Sequence, residues 1–323
     1  MKGVALTPGA RGASYPRMGR FDHRATHPRR GPTDILRWKL LDPLRGRRVT
    51  SAHPNGPTPV RANDGAALRA LPASLTWIGH ATFVLRMGGR TVATDPVWSE
   101  RIQGVIPRQA PPGVALDAAP PIDLVLVSHN HYDHLDLPTL KRIGPRAKYL
   151  VPQGNARTLR AAGLPDVEEL DWWSTWRDGD LEVTLVPARH WSMRAPWDRN
   201  DGLWGGWVIR GPEGVAYHAG DTAHFEGFAE IADRCGAIDW AMLPIGAYEP
   251  RWFMQPQHMN PDDALDAFMS LRARRFVAMH WGTFKLTDEP LLEPPARLKD
   301  LWRARGLDPD ALWLLDVGET RAL

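Results

Sequence analysis

The chain has 323 residues, 43% hydrophobic and 24% charged, with 30 Pro, 29 Gly, 15 Trp and one Cys. That composition excludes a disordered chain, a collagen and a coiled coil, and it leaves ample core for one large domain or two small ones. The lone Cys235 excludes a disulfide framework and a cysteine-built zinc site and suits a reducing compartment. The net charge of +3 hides a split: residues 1–50 carry 12 Lys+Arg against 3 Asp+Glu, the remainder 28 against 34. A basic arm precedes a mildly acidic body, and the arm's partner is expected to be anionic.

Residues 1–73 read as a basic N-terminal arm and linker, and residues 74–323 as the folded body. No apolar run near the start has the length of a signal h-region, and no later stretch reaches the ~18 apolar residues of a membrane span. The expectation is a cytoplasmic protein that can sit peripherally on the inner face of a membrane. Within the arm, TDILRWKLLDPL (33–44) spaces Ile35, Leu36, Trp38, Leu40 and Leu41 among Arg37 and Lys39, with Arg45, Arg47 and Arg48 following. This stretch predicts a short amphipathic helix, either interfacial on anionic lipid or packed on the body. No nucleic-acid-binding motif accompanies the charge, so nucleic acid is not the expected partner. Residues 50–73 are rich in Pro, Ala, Gly and Asn and read as linker.

From Leu75 the punctuation becomes regular. LTWI and ATFVLRM are β-rich runs, and Gly88-Gly89 turns the second into RTVATD. IDLVLVSH (122–129) is a continuous apolar run of the kind covered on both faces. Helices are expected near 137–143 and 153–163, then strands at 181–187, 204–210 and 214–219 and a helix over 223–235. DWAMLPIG is the next strand; Asn260-Pro261 opens a helix running to about 273. RFVAMHWG, a helix over 294–305 and ALWLLDVG close the pattern. Strands early and helices interspersed later predict an α/β fold of two sheets packed face to face with helices outside.

His129-Asn130-His131-Tyr132-Asp133-His134 directly follows the covered strand. Four nitrogen or oxygen donors within six positions at a strand end suit a metal: zinc first, with manganese or iron also compatible. His190, Asp221 and His280 each follow the C-terminal end of a later strand. Five His and two Asp then divide into two adjacent sites, His129, His131 and His190 for one metal and Asp133, His134 and His280 for the other, with Asp221 as the natural bridge. Two such cations can activate a water and clamp a phosphate oxygen.

HxHxDH, the later His190, Asp221 in AGDT (219–222) and His280 in HWGTF (280–284) together resemble the metallo-β-lactamase superfamily. TWIGHATFVL (76–85), TDPVWSER (94–101), ELDWW (169–173), LWGGW (203–207) and PIGAYEPRWFMQPQHMNPDDA (244–264) make the resemblance closer to its N-acylphosphatidylethanolamine-hydrolysing phospholipase D family. The resemblance runs across residues 75–323 and implies a four-layer αββα sandwich, two Zn2+ per chain on the seven ligands above, a phospholipid substrate and a homodimer. It also implies a phospholipase D-type cleavage to N-acylethanolamine and phosphatidic acid. By position, Tyr132 and His258 match substrate-contacting residues of that family; Asp133, Asp221 and His258 are the expected catalytic groups. Asp95 and His80 are expected to fix loops around the site. Arg251 offers charge for an anionic headgroup, or an ion pair with Glu249. Ligands alone leave open a lactonase or another ester or amide hydrolase, because the same chemistry attacks a carbonyl, and a membrane-associated metal-binding protein without turnover. The segment MRAPWDRND after His190 departs from the family pattern and bears on the wall of the substrate channel.

Overall fold

Ser74–Gly79 (β1), Thr82–Met87 (β2) and Arg90–Thr94 (β3) form an antiparallel meander. Gly88 and Gly89 make its second turn at φ of 56° and 70°, the left-handed region that a two-residue hairpin needs. Arg101–Ile102 (β4) and Ile106–Pro107 (β5) make a separate small hairpin. Leu124–Leu126 (β6), Lys148–Pro152 (β7) and Val167–Leu170 (β8) then add in parallel beyond β3. Thr175–Asp178 (β9), Leu181–Val186 (β10), Gly206–Gly211 (β11) and Gly214–His218 (β12) run antiparallel. Trp240–Pro244 (β13), Arg275–Met279 (β14) and Leu312–Trp313 (β15) follow in parallel, and Thr320–Ala322 (β16) returns to pair with β1. The result is two seven-stranded sheets, ordered β16-β1-β2-β3-β6-β7-β8 and β15-β14-β13-β12-β11-β10-β9.

Side-chain alternation sets the layers. Phe83, Leu85, Leu124, Leu126 and Leu150 of the first sheet share one core with Val183, Leu185, Trp207, Ile209 and Tyr217 of the second. The alternate residues Val125, Val127, Tyr149 and Val151 bury instead with Leu140 and Leu159 of the helices Leu137–Ile143 and Ala156–Ala161. On the far side, Gly227–Cys235, Pro261–Leu271 and Glu293–Ala304 contribute Phe228, Ile231, Leu265, Phe268, Leu298 and Trp302 to the core of the second sheet. The expected αββα sandwich is therefore observed, with β6 covered on both faces as its apolar run predicts.

This computed structural model describes residues 19–26, 28–46 and 56–323; residues 1–18, Arg47, Arg48 and the first part of the expected linker lie outside the described residues. The described part of the arm is not detached from the body. Phe21 is buried in the main core and its N–H donates to the Asn200 carbonyl at 2.8 Å. Arg24 makes a forked pair with Asp171 (2.5 and 3.1 Å) and lies over the Trp172 ring. A side chain on Gly19 would overlap the Arg199 carbonyl, so this close approach requires glycine. The 32–44 stretch is helical throughout, as Pro32–Leu36, a π turn over Arg37–Leu41 and Asp42–Leu44. It is held by Trp38, whose ring meets Phe253 at 4.9 Å and whose indole N–H donates to Asp288 at 2.6 Å. Ile35, Leu36, Leu40, Leu41 and Leu44 of the same helix remain exposed. Among the described residues no helix is long and apolar enough to cross a membrane.

Because Phe21 is core rather than tether, Phe21→Ala is expected to destabilise the chain by about 3 kcal/mol through the lost burial and the cavity left behind. Urea unfolding followed by tryptophan fluorescence measures this, and an unchanged midpoint would show the segment to be energetically detached.

Candidate metal centre

The ligand loop begins where β6 ends, and one buried carboxylate shapes it. Asp95, just past β3 at φ 38° and fully buried, accepts from the Ser128 N–H (2.6 Å), the Ser128 hydroxyl (2.6 Å) and His134 Nδ1 (2.7 Å). Strands β10 and β12 point the same way across β11, and β12, β13 and β14 are parallel. The residues beyond the ends of β10, β12 and β14 therefore emerge at one edge, which delivers His190, Asp221 and His280 to the loop from β6.

The seven residues singled out from the sequence converge. Ligand atoms of His129, His131, His190 and Asp221 lie within 4.8 Å of one another, as do those of His80, Asp133, His134 and His280. Asp221 stands between the groups: its Oδ2 is 3.3 Å from His134 Nε2, 3.7 Å from His190 Nε2 and 4.0 Å from His129 Nε2, and its Oδ1 is 3.0 Å from His280 Nε2. Asp133 Oδ2 is 3.6 Å from His134 Nε2 and 3.8 Å from His280 Nε2. His80, expected only to fix a loop, joins the second group, with Nε2 3.0 Å from Asp133 and its ring 3.9 Å from that of His280. Its sequence signal was weak because it lies on a hairpin turn far from the HxHxDH cluster.

Outer partners hold three of the imidazoles by Nδ1 and turn their Nε2 atoms inward. His190 Nδ1–H donates to the Gln257 carbonyl at 3.0 Å, and His134 Nδ1–H donates to Asp95, leaving both Nε2 atoms facing the centre. The Ser128 hydroxyl hydrogen is committed to Asp95, so His129 Nδ1–H donates to Ser128 Oγ at 2.9 Å and its Nε2 also faces inward. There His131 Nδ1 sits 2.8 Å from His129 Nε2 and 3.2 Å from His190 Nε2. One proton cannot satisfy three converging nitrogens.

Electrostatics point the same way. Burial disfavours charge on both Asp133 and Asp221, yet the neighbouring His134 and His280 outweigh it and hold both carboxyls well below the usual carboxylate range. Burial also pulls His280 down, but Asp221 and Asp133 carry it up to about 9. Burial first, then the surrounding imidazoles, holds His129 well below its ordinary value; burial takes His131 to about 4 against the pull of Asp133 and Asp221. His134 Nε2, His280 Nε2, Asp221 Oδ1 and His258 Nδ1 are buried, and among the described residues none makes an aligned hydrogen bond, although Asp221 Oδ1 and His280 Nε2 lie 3.0 Å apart. Leaving such groups unsatisfied costs about 1–3 kcal/mol each, whereas divalent cations would satisfy anionic carboxylates and neutral lone pairs together. The donor set fits metal.

A cleft of about 390 Å³ opens onto His131, Asp133 and Asp221. His258 and Tyr132 both line it, so the structure brings them beside the cluster. Tyr132 donates its hydroxyl hydrogen to the Arg194 carbonyl at 2.8 Å. His258 Nδ1 lies 3.9 Å from Asp221, and burial drives this imidazole to about 3. Arg251 is a structural residue: its guanidinium pairs with Asp263 at 2.7 Å, while Glu249 accepts only from its backbone N–H. His218 is buried on the Ala81 carbonyl, and His224 is exposed. Asp95→Asn removes the charge that orients His134 and is expected to weaken metal retention about 10–100-fold. Competition with a chromophoric chelator reads this out, with far-UV circular dichroism confirming the fold.

The Beta-lactamase superfamily domain family matches residues 90–281 of this chain. The chain is 38% identical over 263 residues to N-acyl-phosphatidylethanolamine-hydrolyzing phospholipase D 1 of Caenorhabditis elegans, covering 76% of this chain and 74% of that protein. It is 33% identical over 278 residues to the mitochondrial N-acyl-phosphatidylethanolamine-hydrolyzing phospholipase D of Saccharomyces cerevisiae, covering 82% of this chain and 58% of the yeast protein. Among solved structures it resembles Igni18, a metallo hydrolase of Ignicoccus hospitalis, with a TM-score of 0.61, 25% identity and coverage of 78% of this chain and 98% of that one. With its two-sheet sandwich and its buried His/Asp cluster at the strand ends, the chain belongs to the metallo-β-lactamase superfamily and to its N-acylphosphatidylethanolamine-hydrolysing phospholipase D-like branch.

Proposed function

We propose that the chain is a zinc-dependent phosphodiesterase of phospholipase D type, cleaving N-acylphosphatidylethanolamine-like phospholipids to N-acylethanolamine and phosphatidic acid. The observation that carries this reading is the joining of a buried His/Asp centre to a cleft whose other walls are largely apolar, with Trp38, Ile106, Met193, Phe253 and Met254 among them. Such walls suit acyl chains, and the centre suits a phosphate at their end. The similarity to the worm and yeast phospholipases supports the same substrate class.

His129, His131 and His190 would hold one zinc ion, Asp133, His134 and His280 a second, with Asp221 shared. When bound, the pair would supply Lewis-acid polarisation of the phosphate and an acidified water as nucleophile. Asp133 and Asp221 stay anionic, and Asp95 holds His134 by Nδ1, so that a metal displacing the Nε2 proton would meet its lone pair. His258, held at about 3 by burial, is neutral at physiological pH. It therefore offers an N–H to the phosphate or the leaving oxygen rather than an imidazolium proton. The apolar walls exclude water from the reacting bond, which strengthens each of these electrostatic contacts.

The exposed aliphatics of the 32–44 helix support contact with an anionic lipid surface. Arg37 and Lys39 lie among them, and Trp38 turns from the same helix into the cleft wall. Exposed Val105 and Trp197 sit on two further loops whose neighbours Ile106 and Pro196 line that cleft.

Incubating the zinc-loaded protein with N-acylphosphatidylethanolamine vesicles and following products by mass spectrometry tests the reaction. Acylethanolamine and phosphatidic acid are expected, with a loss on the order of 100-fold or more in Asp221→Asn while the fold persists. Opening of lactones without cleavage of any phosphodiester would overturn the reading. For the surface, replacing Leu40 and Leu44 together by Asp is expected to reduce binding to anionic vesicles by about 10-fold or more. Turnover of a short-chain soluble substrate should stay unchanged, and equal vesicle binding would discard the membrane contact.

A further inference from the structure

Residues 191–202 form neither helix nor strand, yet they are fastened on both sides. On the outer side, Asn200 donates its side-chain amide to Asp22 of the arm at 2.8 Å and exchanges bonds with Ser192, two residues past His190. On the inner side, Arg194 reaches the ligand loop. Its Nη1 donates to the Asn130 carbonyl at 2.9 Å and to the Leu135 carbonyl at 2.8 Å. These carbonyls stand at the two ends of the stretch that carries His131, Asp133 and His134.

The loop has little backbone bonding of its own to hold that shape: the His134 and Leu135 N–H groups both go to the His131 carbonyl, at 3.1 and 2.8 Å. Arg194 supplies the missing closure with charge-assisted bonds, which are stronger than neutral ones. The guanidinium also lies 4.0 Å from the centroid of the Tyr132 ring, and the Tyr132 hydroxyl returns a bond to the Arg194 carbonyl at 2.8 Å. Asp198 fixes the backbone from which the side chain departs, accepting from the N–H groups of Arg194 and Ala195 at 2.8 and 2.9 Å.

We infer that Arg194 is a positioning residue of the metal centre, a clamp that joins both ends of the ligand loop and keeps His131, Asp133 and His134 at ligating separation. It does so from the segment MRAPWDRND, just after the ligand residue His190. A single guanidinium nitrogen bonds both carbonyls while the plane stacks on a ring; a lysine ammonium can reach a carbonyl but cannot stack its head as a plane. The inference rests on the metal-centre reading above but not on the identity of the substrate.

The test uses the full chain, Arg194→Met, which keeps an apolar stem of similar reach, and Arg194→Lys. Each is loaded with zinc, and the transfer of zinc to a chromophoric chelator is followed; urea unfolding of the metal-free proteins and kcat and KM on the phospholipid are measured alongside. Arg194→Met is expected to lose zinc about 10–100-fold more readily, Arg194→Lys to recover part of that loss, and the metal-free unfolding midpoints to agree. Zinc retention equal to the parent with a raised KM would overturn the inference and make Arg194 a substrate contact. Failure of both variants to fold without metal would overturn it in favour of a general structural role. A parent chain that holds no zinc would overturn it together with the metal-centre reading, whereas absent phospholipid turnover with normal zinc retention would sink only the proposed reaction.

Discussion

Three carboxylates, Asp95, Asp133 and Asp221, and several imidazoles gather at one end of a sandwich whose core is largely apolar. Ionised groups in such surroundings carry a heavy desolvation cost unless opposite charge lies among them. Here that charge is shared: His134 and His280 compensate Asp133 and Asp221, while His129 and His131 are pushed toward neutrality. Much of the remaining architecture follows from keeping this cluster in register. Asp95 turns the loop and orients His134, the Gln257 carbonyl orients His190, and the aligned strand directions deliver the later ligands.

The cleft extends the same constraint outward. Its floor is polar because the cluster is there, and its walls are largely apolar, with Trp38, Phe253 and Met254 packed in one small cluster and Ile102, Ile106 and Leu286 in another. Trp38 is the point where the arm joins this wall, bonded to Asp288 and packed on Phe253. Asp288 lies in the chain just after HWGTF, so the Trp38 indole ties the surface helix by a hydrogen bond to the segment that leaves the ligand His280.

Much of the centre could be read before any coordinates because its chemistry is local: HNHYDH follows a continuous apolar strand, and His190, Asp221 and His280 each follow a β-rich run. The sandwich was legible for a similar reason, since Val125 and Val127 alternate with Leu124 and Leu126 in a run too apolar to face water on either side. Strands β4, β5, β7, β8, β9 and β16 lie outside the expected runs. VEEL and TWRD are short and largely polar, and they are strands because the neighbouring β7 and β10 complete their hydrogen bonds. His80 and Arg194 escaped for a related reason, because their partners lie 53 and about 60 residues away. The arm misled in the opposite sense. Its composition reads as solvated, but Phe21, Gly19 and Arg24 find partners more than 100 residues downstream.

The pairing of β1 with β16 carries a kinetic consequence. Leu75 lies opposite Arg321 and Thr76 opposite Thr320, so one flank of the first strand waits through most of synthesis for its neighbour. The seam between Asp22 and Asn200 imposes a similar wait across 178 residues. Contacts of such long separation form late and slowly, because the intervening loop must close before they contribute. Until then β1 presents an open edge of SLTWIG, an apolar template for pairing with another nascent copy. In a cell the yield of folded protein would then depend on how crowded that waiting edge is, and chaperone supply could limit it more than the stability of the finished fold.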